Sequence, residues 1–223
     1  SEIEATVLAA QKKQYEPYQE EKIPSTLISV LPKPGKIVSE KPYGKFGMTE
    51  ITLSNGMKVY VKPTDYQADQ VMMSMRAEGG TSLYGNGDIP NFSLLTSAIT
   101  EAGVGDFSAT ALRKALAGKS IRLTPSISSE GQRIAGSSSV KDMETMLQLA
   151  HLYFMAPRKD SVAFEGLKNR TLSFLKNRNA SSKVVYNDSL SAVLYDHNLR
   201  MAPVTGEVLA MADYGRIMEI YRE

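Results

Sequence analysis

Glu50-Ile51-Thr52-Leu53-Ser54-Asn55-Gly56-Met57-Lys58-Val59-Tyr60-Val61-Lys62 sets two short strand-like runs about a turn. Residues 50–53 alternate polar and apolar, as a half-buried strand does. Asn-Gly between two such runs is the strongest local hairpin signal, because both central residues of a type I′ turn need positive φ. Pro63-Thr64-Asp65 ends the second strand. Val71-Met72-Met73-Ser74-Met75-Arg76-Ala77 follows as a third strand. It is more continuously apolar, and so is expected at the centre of a sheet.

Downstream, Phe92, Leu94, Leu95, Ala98, Ile99 and Ala102 recur at helical spacing, and Gly103 closes the run as a glycine just past a helix does. Ser108 is a good N-cap for a short helix over 109–117, which Gly118 stops. Residues 121–125 and 132–137 read as two more strands, around a turn near Ser129-Glu130-Gly131. Lys141-Asp142-Met143-Glu144 opens a long amphipathic helix with Met143, Met146, Leu147, Ala150 and Phe154 inward, and Pro157 ends it. Asp160 caps a second long helix over 161–177, and 184–195 and 210–221 read as two more. Hairpin, strand, two helices, two strands and a run of helices define the α+β class. The expected architecture is a largely antiparallel sheet with helices packed on one face.

Upstream the composition shifts. Ile3, Val7 and Leu8 suit a short amphipathic helix, and then Pro17, Pro24, Pro32, Pro34 and Pro42 punctuate the chain with Gly35, Gly44 and Gly47. Proline removes donors and fixes φ, so no long helix or central strand fits that density. Residues 1–47 therefore read as a linker or hinge, with Leu27-Ile28-Ser29-Val30-Leu31 as its one strand-like or docking stretch. Residues 48–223 read as the α+β domain. The chain lacks an initiator Met, as a segment of a longer protein or a processed chain does.

With 42% apolar and 22% charged residues in 223, the chain is neither disordered, collagen-like nor a coiled coil. A net charge of +2 sets up no general field for nucleic acid or anionic membrane, so any such partner needs a local patch. No apolar run approaches the roughly 18 residues of a membrane span. The absence of cysteine excludes disulfides, thiolate nucleophiles and cysteine-based metal sites. His151 and His197 are the only histidines, too few for a three-histidine metal site.

Motifs for chemistry are sparse. There is no P-loop, His-Glu-x-x-His, nucleophile elbow or EF-hand loop. Gly79-Gly80 follow a strand, but the next helix starts some ten residues later, so a close-approach turn is a better reading than a phosphate cradle. His151 reads as a core or boundary residue. Asp196-His197 invites a triad, yet no serine has a nucleophile's context. Glu101, Glu144 and Glu165 have no ligand spacing to either histidine. The methionines read as core filling, and Arg170, Lys176 and Arg178 as one solvated helix face. Neither catalytic nor metal-binding residues are assigned, and no substrate-binding residue is singled out.

One ordered set of motifs goes further. Leu53-Ser54-Asn55-Gly56-Met57-Lys58-Val59, a strand closing on Gly79-Gly80, Gly103-Val104-Gly105, Leu116-Ala117-Gly118-Lys119 and Pro157-Arg158-Lys159-Asp160 come in the order and spacing of the insulinase/pitrilysin zinc peptidases. Residues 49–223 resemble that family, and most of all its long-chain bacterial zinc proteases. The resemblance implies the fold shared with mitochondrial processing peptidase, whose complete domain ends in another strand, so this chain is expected to stop short of it. It also implies a helix carrying His-x-x-Glu-His, two zinc ligands and a general base, after the glycine pair. Asn91-Phe92-Ser93-Leu94-Leu95 stand there instead, and the comparable later helix, which supplies the third ligand in the family, has only Glu165 near its start.

The chain therefore resembles the catalytically silent repeats of these proteins. The expectation is a non-catalytic domain of a zinc metallopeptidase that walls a substrate chamber, its proline-rich segment serving as hinge. No cofactor is expected in this segment, and zinc belongs to the catalytic half of the parent. The partners implied are that half, in the same polypeptide or a partner subunit, and a peptide substrate; neither nucleic acid nor a membrane span is implied. A purely structural scaffold module is the alternative, and a hydrolase using His197 the third reading. An exported, periplasmic bacterial parent is in keeping with the resemblance.

Overall fold

A computed structural model describes residues 26–223, together with Thr6 and Pro24. The short helix read around Ile3, Val7 and Leu8 lies outside the described residues. Strands β1 (Ile37–Tyr43), β2 (Met48–Leu53) and β3 (Lys58–Val61) form an antiparallel sheet in that order. The hairpin falls at Asn55-Gly56 with a different turn from the one expected. The Gly56 amide donates to the Leu53 carbonyl at 2.9 Å, and Gly56 has φ of 85°, whereas Asn55 does not take a positive φ. That is a loop closed by a glycine bulge, which needs one left-handed residue rather than two.

Strand β1 draws part of the proline-marked stretch into the sheet. It is an edge strand, where the donor missing at Pro42 is tolerated. Leu27 docks instead of forming a strand: it is buried in the main core, with Ile28 packed beside it.

A second antiparallel sheet joins β4 (Val71–Glu78), β5 (Ile121–Ile127) and β6 (Gly131–Ser138) in the order β4-β6-β5. Contrary to expectation β4 lies at an edge, and β6 is central. The apolar run of β4 divides between two faces: Val71, Met73 and Met75 pack on the core, whereas Met72 is 80% exposed. An apolar run signals two covered faces only when both faces are in fact covered.

The helices are α1 (Ile89–Ala102), α2 (Ala109–Ala115), α3 (Met143–Met155), α4 (Ser161–Lys176), α5 (Ser182–Leu194), α6 (Gly206–Ala210) and α7 (Tyr214–Arg222). Helices α1 and α3 lie against the second sheet, and α4, α6 and α7 pack around α1. Val104, Met146, Leu209, Ile217 and Ile220 form the centre with Ile99. The expected caps form: Ser108 Oγ accepts from the Ala111 amide at 3.1 Å, and Asp160 Oδ1 from the Ala163 amide at 2.9 Å.

Two helical readings need correction. In α3, Met146 and Ala150 are buried as expected, but Met143, Leu147 and Phe154 are exposed and Leu149 and Tyr153 take the inward places. This helix is apolar on most sides, so periodicity alone does not choose its inner stripe. The single helix expected over 210–221 is broken. Asp213 Oδ1 accepts from the Arg216 amide at 2.7 Å, so its side chain starts a new helix there.

Candidate functional site

The loop that leaves β4 is set by contact with the β5–β6 turn. A Cβ at Gly80 would lie 2.4 Å from the Ser128 carbonyl oxygen and 2.6 Å from the Gly131 nitrogen, so no other residue fits. The amides of Thr81 and Ser82 donate to the carbonyls of Ser128 and Ser129 at 2.9 Å. The glycine pair is thus a close-approach turn. From the far side Arg200 donates to the Thr81 carbonyl at 2.9 Å and to the Tyr84 carbonyl.

The chain then turns into α1 through a polar clasp. Asn91 is 5% exposed, and its Nδ2 donates to Asp88 Oδ1 at 2.9 Å. Its own Oδ1 accepts from the Asp213 amide at 2.9 Å, so one side chain ties the first turn of α1 to the start of α7. Arg216 on α7 closes the arrangement as a fork, Nε to Asp88 Oδ1 and Nη2 to Asp88 Oδ2, both at 3.0 Å. The guanidinium also lies 5.6 Å from the centroid of the Tyr84 ring, which leans on Phe92 at 5.8 Å. Arg216 holds the Asp88 carboxyl below the usual carboxylate range, and the Asn91 amide adds to the effect. One turn further along α1, Leu94 and Leu95 are buried in the core.

Chemically this is a lock. Both oxygens of Asp88 are engaged by one cation, and both ends of the Asn91 amide are bonded. Neither group is placed to activate water. The other residues weighed from the sequence lie apart from it. His151 is half-buried on α3, and His197 is exposed after α5. Asp196 and His197 both take left-handed φ, 47° and 54°, and the His197 amide donates to the Ala192 carbonyl at 2.8 Å. Glu165 is exposed on α4, Glu101 pairs with Arg170, and Glu144 Oε1 accepts from Gln148 at 3.1 Å. Among the described residues no three of His, Cys, Asp or Glu gather so as to hold a metal ion.

The zinc protease PQQL-like protein of Arabidopsis thaliana is 30% identical to this chain over 155 residues, 68% of this chain and 14% of that protein. The insulinase-like peptidase family claims this chain. The probable zinc protease PqqL of Haemophilus influenzae is 27% identical over 171 residues, 76% of this chain and 18% of its own. The chain thus spans less than a fifth of the length of the curated relatives it matches. No family model matches it. The crystal structure of the periplasmic protease PqqL from Escherichia coli shares the fold, with a TM-score of 0.75 and 17% identity, over 99% of this chain and 24% of that one.

The resemblance implies that zinc ligands lie on the helix after the glycine pair, and α1 is the helix that follows Gly79-Gly80 here. The residues present do not fit a zinc ion. Asn91 has no free end, and Leu94 and Leu95 are apolar core. The Asp88–Arg216 fork was not foreseen, because its two halves lie 128 positions apart. Its one local trace is Asp88 three residues before Asn91, the spacing at which two side chains meet on a helix.

Proposed function

We propose that this chain is a non-catalytic domain of a zinc-dependent peptidase, and that it walls the chamber in which another domain cleaves peptide. The observation that carries the reading is Asn91. A buried amide bridges α1 to α7 where a catalytic relative needs a ligand, so that helix is dedicated to holding two elements together. A chain that fills less than a fifth of its zinc-protease relatives also leaves ample polypeptide for a catalytic half. Zinc, the peptide substrate and export of the longer protein all belong to that parent in this reading. The segment itself has, among its described residues, no helix long and apolar enough to cross a membrane.

The test is the native polypeptide, sized by immunoblot with antibody against this segment and then purified. The expected result is a band several times heavier than this chain, with bound zinc and chelator-sensitive peptide hydrolysis. The 223-residue chain alone should hydrolyse nothing. A native band at the mass of this chain overturns the proposal in favour of a stand-alone scaffold. Chelator-sensitive hydrolysis by the chain alone overturns its silence.

A further inference from the structure

Among the described residues, the second sheet has one face under the helices and one face bare. Val71, Met73, Met75, Leu123 and Ile134 point to the core. The alternate residues form rows across the bare face: Met72, Ser137 and Arg122; Ser74, Ala135 and Thr124; Arg76, Arg133 and Ser126. Three arginines thus share it, all exposed, and Arg76 stands directly opposite Arg133. Like charges in opposed positions destabilise a sheet. None of the three takes part in an ion pair among the described residues. The Arg133 Nε donates to the Ser74 hydroxyl at 3.0 Å, and Glu78 is the sole carboxylate on the strands of this face.

At the Arg122 end the face runs into a shallow basin of about 420 Å³, which Gln67, Gln70, Lys119, Ser137 and Ser138 also line. Donors dominate there. Its carboxylate, Asp69, is turned onto the Val140 amide at 3.0 Å.

We propose that this bare face binds an acidic, extended stretch of polypeptide. Charge complementarity selects the partner: three arginines share their strands with a single carboxylate, Glu78, which pairs with none of them among the described residues, and carboxylates from outside relieve the excess. Spacing selects the shape. The rows of Arg122 and Arg76 are four residues apart along the strands, roughly 13 Å at about 3.3 Å per residue. An extended chain with Glu or Asp at i and i+4 places its carboxylates at the same separation. The face has no aromatic ring on which a base would stack, which sets it apart from single-strand nucleic-acid platforms. The inference rests on the wall reading for its purpose, since it gives that wall a preference for acidic segments of substrate.

The test is fluorescence anisotropy with the full 223-residue chain and three labelled probes: a ten-residue Glu-Thr repeat, a Gln-Thr repeat of the same length, and an oligo-dT. The Glu-Thr peptide is expected to bind at least about tenfold more tightly than the Gln-Thr peptide, and to weaken as salt rises. The triple change Arg76→Gln, Arg122→Gln and Arg133→Gln removes that preference, while Arg113→Gln on α2 leaves it intact. All four side chains are exposed, so matching thermal melts show that each variant folds. Equal binding of the two peptides, binding that survives the triple change, or tighter binding of oligo-dT overturns the proposal. A long-form protein that cleaves peptide while this face binds nothing refutes the face alone. Arginine-dependent binding in a protein without peptidase activity refutes the wall alone.

Discussion

The two sheets are alike in size and pairing and unlike in what covers them. Each has three antiparallel strands. In the first no strand residue is buried, and its polar contacts, the Tyr43 hydroxyl to Glu50 at 3.2 Å and Lys58 to Glu50 at 3.5 Å, converge on one carboxylate. The second lies under α1 and α3 and supplies Leu123 and Ile134 to the core. Strand pairing sets the shape of both, but among the described residues only the second sheet belongs to a packed layer, and layers supply stability. The difference teaches that a strong hairpin signal marks where a chain turns, and says little about where it is held.

The sharpest break of that comparison is at the core of the covered half. Ile217→Ala, at a fully buried position on α7, is expected to cost about 2–5 kcal/mol in urea unfolding, and a loss below about 1 would mean the helical layer is not the stabilising one. Asn91→Leu comes next, at about 1–3 kcal/mol, because it strands the Asp213 amide and uncouples α1 from α7. The same clasp sets a pH dependence. The Asp88 carboxyl is lowered in the folded state, chiefly by Arg216, so its contribution is complete above the ordinary carboxylate value of about 4 and is lost as pH falls through the lower folded value. Asp88→Asn should therefore flatten the acid limb of a stability–pH curve, and an unchanged limb would show that the fork carries little.

Smaller effects sharpen the contrast. Asp160→Ala removes the cap of α4 and is expected to cost about 0.5–2 kcal/mol, read as a lowered melting temperature. Val38→Ser, at a site 63% exposed on the first sheet, should change stability by no more than about 0.5 kcal/mol. Amide exchange gives the same comparison without mutation: Ile51 and Val59 should exchange before Leu123 and Ile134. Equal protection of the two sets would mean that the first sheet unfolds only with the whole.

What was legible in the sequence was local. Asn55-Gly56 and the caps Ser108 and Asp160 each act within four residues, and each is where its chemistry puts it. Gly103 does end α1, but with φ of 84° and ψ of −165°, against the backbone of Phe107 and Ser108, rather than as a left-handed cap. The turn class at Gly56 escaped because Asn-Gly suits either a two-residue turn or a bulged loop. The inner stripe of α3 and the edge position of β4 depend on what lies across the layer, which no short window contains. The break before α7 had a local cause, Asp213, in a segment whose apolar residues still run at helical spacing. The row of Arg76 against Arg133 follows from register alone, and register is a property of two strands at once. At the candidate site the lack of a His-Glu-x-x-His motif is plain in the sequence, whereas the Asp88–Arg216 fork and the Asn91 bridge join residues too far apart to be read from it.

The fork between Asp88 and Arg216 has a consequence for the order in which the molecule is made. Its partners are separated by 128 positions, so α1 leaves the ribosome long before the helix that covers it. At synthesis speeds of about 5–20 residues per second, the apolar side of α1 waits roughly 6 to 25 seconds for Ile217 and Ile220 to arrive. During that interval Leu94, Leu95 and Ile99 are open to other nascent chains and to chaperones. A newborn copy of this chain is thus most vulnerable through the helix that is best buried once it is finished.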